Sequence, residues 1–186
     1  MALNVAPANR RPLAALFFAS VIVLLVLLAG HIALARRMNT ADLLVTLAVT
    51  AFGGGCALLT ASLVLDGFVT PSLALQYRAA QDPAVQHSIE GLVRFCGTSI
   101  RVLMPMGLLS FAASSLAWSV PLARAGGARR LVSAISAVLG VLMGLAMFVA
   151  PPRMFDHAVL AGLFLFVLWH VALAAGLLRG GDVLQS

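Results

Sequence analysis

The chain has 186 residues, 62% of them apolar and only 10% charged, with a mean hydropathy of +1.06. A soluble domain carries about a quarter charged residues, so this composition excludes a soluble enzyme, a nucleic-acid-binding domain and a secreted disulfide scaffold. The formal charge of +6 comes from twelve arginines against six acids, with no lysine. Arginines at the edges of apolar segments snorkel to phosphate head groups, and the lack of lysine removes Schiff-base chemistry of the retinal or pyridoxal kind.

The charges leave five uninterrupted windows, at 12–35, 43–65, 102–123, 131–152 and 157–178, each of 22 to 24 residues. As helices these are about 33 to 36 Å long, matching a hydrocarbon core of about 30 Å. The fold expected is an all-α integral membrane protein: one transmembrane domain, a bundle of five transmembrane helices, and an interfacial, amphipathic helical insertion at 66–101 between the second and third. Its expected location is a bacterial-type cytoplasmic membrane, crossed several times.

In chain order, Arg10 and Arg11 precede Pro12, which suits a first helical position because its missing N–H costs nothing there. The apolar run that follows is longer than the roughly 7–15 residues of a signal peptide, so a retained helix is expected. Arg36 to Thr40 turn the chain, and Thr40 or Asp42 can cap helix two. That helix carries Gly53, Gly54 and Gly55, a packing notch in a bilayer, as do Gly140 with Gly144 in helix four.

Between Asp66 and Arg78 the uncharged run is eleven residues, too short to span, and a re-entrant or interfacial segment broken at Pro71 is expected. Asp82 and Pro83 read as an N-cap and first helical residue. A helix from Pro83 through Trp118 would be about 54 Å long and must project, bend or break near Gly91, Gly97 or Pro105. Val85, Ile89, Leu92 and Val93 share helical spacing, which predicts an amphipathic helix at the interface. Residues 123–130, ARAGGARR, form a basic turn; Pro151 and Pro152 end helix four by about residue 150, and helix five follows at about 157–178. Six arginines fall on each side of the membrane, so the positive-inside rule ties and leaves the orientation open; Arg10 with Arg11 ahead of the first helix only tilts it towards a cytoplasmic N-terminus.

No charge lies inside a window, which disfavours pumps, voltage sensors and ion-coupled transporters. Cys56 and Cys96, with no CxxC pattern, read as buried inert thiols. His31 and His170 are the polar candidates within windows. Counted from window centres their depths differ by about 7 to 8 Å, whereas trans ligands of one haem need matched depth; hydrogen-bonded structural histidines are the plainer reading. Trp118 and Trp169 fit interfacial or packing roles.

A richer group gathers on the face carrying the N-terminus: Asp66, His87, Glu90, Arg94, Arg101, Asp156 and His157. His87 and Glu90 are three apart and share a helical face, a spacing that suits two ligands of one metal ion, with Asp66, Asp156 and His157 able to complete the shell. Arg94 or Arg101 is free to hold a phosphate or carboxylate. Set against this, Asp82 is accounted for by capping and Glu90–Arg94 by ordinary i,i+4 pairing. The leading expectation is a non-catalytic membrane protein acting through helix packing with itself, with a membrane-protein partner or with lipid. The alternatives are a small interfacial enzyme using the carboxylate–histidine group, and a haem-binding redox subunit using His31 and His170. The sequence assigns no cofactor.

Overall fold

The computed structural model describes residues 10–38, 42–127, 129–149 and 155–179, and among these the chain is all-helical with no strand. The elements are α1 (Arg10–Arg37), α2 (Leu43–Val64), a π-helical turn (Leu65–Val69), α3 (Thr70–Ala79), α4 (Pro83–Arg124), α5 (Arg129–Val149) and α6 (Phe155–Arg179). Five helical stretches are long and apolar enough to cross a membrane: Phe17–Arg37, Leu43–Ala79, Pro83–Arg124, Arg129–Phe148 and His157–Ala175. This is the pattern of a multi-pass helical membrane protein.

Helix α4 is the centre of the bundle, touching α2, α3, α5 and α6. The chain lets α2 meet it by omitting side chains. A Cβ on Gly55 would stand 2.6 Å from the Phe111 ring and 3.0 Å from the Gly107 carbonyl, and one on Gly107 would stand 3.0 Å from Leu59. Of the three consecutive glycines only Gly55 is at this crossing; Gly54 faces open space. On the other side of α4, Gly140 of α5 lies against Leu116 and the Ala112 carbonyl, while a Cβ added to its GxxxG companion Gly144 would meet nothing within 4 Å. Buried serines tie the same helices together: Ser114 Oγ donates to the Ala48 carbonyl at 2.8 Å, and Ser115 Oγ to the Ser136 carbonyl at 2.6 Å. In hydrocarbon such hydroxyls have no water to turn to, so each bond holds its helix pair in register.

Two sites where the sequence allowed a break are passed as continuous helix, the second in keeping with the projecting alternative. At Pro71 the helix continues through the π turn into α3. The Thr70 N–H and its hydroxyl both reach the Leu65 carbonyl, the latter at 2.8 Å. Widening the ring ahead of Pro71 relieves the clash its pyrrolidine would otherwise make with the carbonyl four residues back. The second is α4, which runs 42 residues without interruption past Gly91, Gly97 and Pro105. At 1.5 Å per residue it is about 63 Å long, twice the hydrocarbon thickness, so residues 83–101, about five turns, extend beyond the apolar window. There it pairs with α3 as a helical hairpin closed at 80–82, around Leu73, Ile89 and Cys96. Val93 packs at its edge, but Val85 and Leu92 are exposed, so the covered face is narrower than the spacing predicts.

The caps read from sequence are present. Asp42 accepts from the Leu44 N–H at 2.9 Å and Asp82 from the Ala84 N–H at 2.8 Å; Thr40, the other candidate, lies outside the described residues. Gly126 and Gly127 turn the chain from α4 towards α5 with φ of 73° and 56°, values that L side chains rarely adopt. Cys56 and Cys96 are both buried and free.

Candidate functional site

Helices α2 and α6 flank α4 without any Cα atoms of the two coming within 8 Å of each other. The gap between them has two different fillings along its length. Towards the α4–α5 turn it is packed with rings. Towards the hairpin it opens into a cleft of about 480 Å³ lined by Asp66, Gly97, Ile100, Arg101, Met104, Val159 and Leu160.

The cleft is built by three elements. Asp66 is the second residue of the π turn, a device that shifts side chains off the α-helical phase and recurs at functional sites. The turn is held from behind by α1. A Cβ on Gly67 would meet the Phe17 ring at 2.5 Å, so only glycine permits this contact. Arg101 comes from α4 at the first residue below the hairpin, and Gly97, one turn earlier, has nothing within 4 Å of where a Cβ would stand. The floor is apolar, from Ile100 and Met104 of α4 and Val159 and Leu160 of α6. Asp66 and Arg101 are exposed and line the same cleft, and among the described residues they make no ion pair with each other. Both flank charge-free windows of the sequence, and the apolar wall continues the cleft beyond them.

Among the described residues no three His, Cys, Asp or Glu side chains come together to hold a metal ion. The reason is axial distance. His87 and Glu90 lie 14 and 11 residues before Arg101 on one unbroken helix, about 21 and 17 Å further out along its axis. His87 is exposed, and Glu90 accepts a hydrogen bond from Tyr77 Oη of α3 at 3.1 Å rather than pairing with Arg94. Arg94 is exposed on the hairpin. His157 is exposed two residues before Val159, and the side chain of Asp156 lies outside the described residues.

The ring-packed part of the gap holds His31 and His170, whose depths the window count placed apart. Their centroids are 5.4 Å apart, edge to face, although no Cα atoms of α1 and α6 approach within 8 Å. Charge-free windows mark where charges stop, not how helices slide against each other, and packing sets that stagger. His31 stacks on Phe52 at 3.8 Å, and His170 meets Phe166 at 4.3 Å and Trp169 at 4.8 Å. Each histidine engages its own helix: His31 Nδ1 lies 2.9 Å from the Leu27 carbonyl and His170 Nδ1 2.9 Å from that of Phe166. The carbonyls can only accept, so both Nδ1 atoms carry hydrogen and both Nε2 atoms are acceptors. Nε2 of each, with Trp118 Nε1, is buried without a partner among the described residues. The two imidazoles, read from the sequence as candidate haem ligands at unequal depths, are therefore neighbours in the structure. Trp118 and Trp169 are fully buried here, in packing rather than belt positions, and Trp169 Nε1 donates to Ser136 Oγ at 3.0 Å.

No protein-family model matches the chain, and comparison with curated proteins and with solved structures finds no similar one.

Proposed function

We propose that this is a non-catalytic, multi-pass protein of a bacterial-type cytoplasmic membrane that works by holding lipid at the cleft between α2, α4 and α6. The observation carrying this reading is the cleft itself, which brings the charged Asp66 and Arg101 together with an apolar wall of Ile100, Met104, Val159 and Leu160. Charged groups at head-group level over an apolar channel match the two halves of a phospholipid. A volume of about 480 Å³ lies in the range of small-molecule pockets, about 300–1,000 Å³. It is large enough for a head group and the first part of an acyl chain.

The test is native mass spectrometry of the full chain purified in mild detergent. Wild-type protein is expected to carry bound phospholipid that Arg101→Gln loses. Protein that elutes free of lipid under conditions that preserve other membrane-protein lipids overturns the reading.

A further inference from the structure

We infer that the cleft is selective for phospholipids whose head group ends in a primary ammonium, the phosphoethanolamine class. The inference rests on the lipid reading above and adds the head group to it.

Its basis is the pairing of unlike charges that do not neutralise each other. Asp66 from the π turn and Arg101 from α4 line one cleft, yet among the described residues neither is in an ion pair. Elsewhere on the chain, where an acid and an arginine are meant for each other, they close: Arg124 Nη1 stands 3.0 Å from Asp42 Oδ2. A cleft presenting a cation and an anion on separate helices is complementary to a zwitterion. The Arg101 guanidinium fork suits two phosphate oxygens, a geometry in which arginine excels. The Asp66 carboxylate accepts hydrogen bonds, and a primary ammonium supplies three donors.

The three common head groups separate on this chemistry. A phosphocholine carries the same charges but its quaternary nitrogen has no N–H to give Asp66. A phosphoglycerol satisfies Arg101 and leaves Asp66 facing a group without a positive charge. Only the ethanolamine head group satisfies both sides. The apolar residues Ile100, Met104, Val159 and Leu160 continue the cleft below the charges, which commits it to a lipid rather than to a free phosphoethanolamine molecule. Gly97 leaves the entrance open beside Arg101, since nothing stands within 4 Å of its would-be Cβ.

The experiment presents the full-length protein in detergent with equimolar dioleoyl phosphatidylethanolamine, phosphatidylcholine and phosphatidylglycerol and reads the retained lipid by native mass spectrometry. Wild type is expected to retain the ethanolamine lipid over the choline lipid by about tenfold, the scale of one charge-assisted hydrogen bond. Asp66→Asn is expected to bring that ratio close to one while lipid is still bound, and Arg101→Gln to lower retention of all three. Gly97→Leu, which leaves both charges in place and fills the entrance, is expected to lower retention of all three as well. Equal retention of the three lipids by wild type, or an unchanged ratio in Asp66→Asn, overturns the head-group inference and leaves the lipid reading standing. No retained lipid at all overturns both.

Discussion

The imidazole of His31 lies flat against the ring of Phe52, with centroids 3.8 Å apart and 13° between the planes, and meets His170 on another side at 5.4 Å. This contact fills the middle of a gap that the helix backbones leave open. His31 is 5% exposed, and its Nε2 has no partner among the described residues. Replacing His31 by phenylalanine keeps the ring and deletes an acceptor whose burial costs about 1–3 kcal/mol. His31→Phe is therefore expected to unfold at or above the wild-type temperature, and His31→Ala, which empties the volume, several degrees below it. Thermal unfolding in detergent followed by circular dichroism measures both. A phenylalanine variant as unstable as the alanine one contradicts the unpartnered nitrogen.

Close approach of α2 and α4 depends on a single glycine among three. A methyl at Gly55 would sit 2.6 Å from the Phe111 ring and 3.0 Å from the Gly107 carbonyl, and the backbone carbonyl cannot move alone. Gly55→Ala is expected to destabilise by about 1–3 kcal/mol, the usual cost of overpacking. Gly54→Ala, into open space, is expected to be neutral or stabilising through helix propensity. The comparison is a pair of melting curves, and equal losses at the two positions would place the crossing elsewhere.

Asp42 performs two tasks with two oxygens. Oδ1 accepts from the Leu44 N–H at 2.9 Å and Oδ2 pairs with Arg124 at 3.0 Å, linking the start of α2 to the end of α4. The arginine side chain is 65% exposed, so the pair contributes at most about 1 kcal/mol, whereas loss of an N-cap costs about 0.5–2 kcal/mol. Asp42→Ala is expected to cost more than Arg124→Gln, and Asp42→Asn, which retains a capping oxygen, to resemble the arginine variant. Melting temperatures at low and high salt separate the contributions, because only the ion pair is screened.

Ser136 serves two neighbours from opposite ends. Its carbonyl accepts from Ser115 and its hydroxyl accepts from Trp169 Nε1 at 3.0 Å. Ser136→Ala leaves a buried indole N–H without an acceptor and is expected to cost about 1–3 kcal/mol, read as a lower melting temperature. Trp169→Phe in that background removes the orphaned donor and is expected to recover part of the loss. A double variant no better than Ser136→Ala would sever the two residues energetically.

Five helices long and apolar enough to cross a membrane and the caps at Asp42 and Asp82 were legible from the chain alone, because each depends on local composition or on neighbours a few residues away. Hydrocarbon length sets the span, and a capping carboxylate reaches only its own helix. The number of long apolar helices needed nothing more than the positions of eighteen charges.

The tertiary structure decided everything that depends on how far one helix slides along another. It brought His31 to His170 despite their unequal window positions, separated His87 and Glu90 from Arg101 by keeping α4 unbroken, and joined Asp66 to Arg101 in one cleft. A sequence period reports which face of a helix is apolar but carries no record of axial stagger. That quantity is fixed by where Gly55 lets Phe111 in, where Gly67 lets Phe17 in, and how the π turn ahead of Pro71 rephases the residues beyond it.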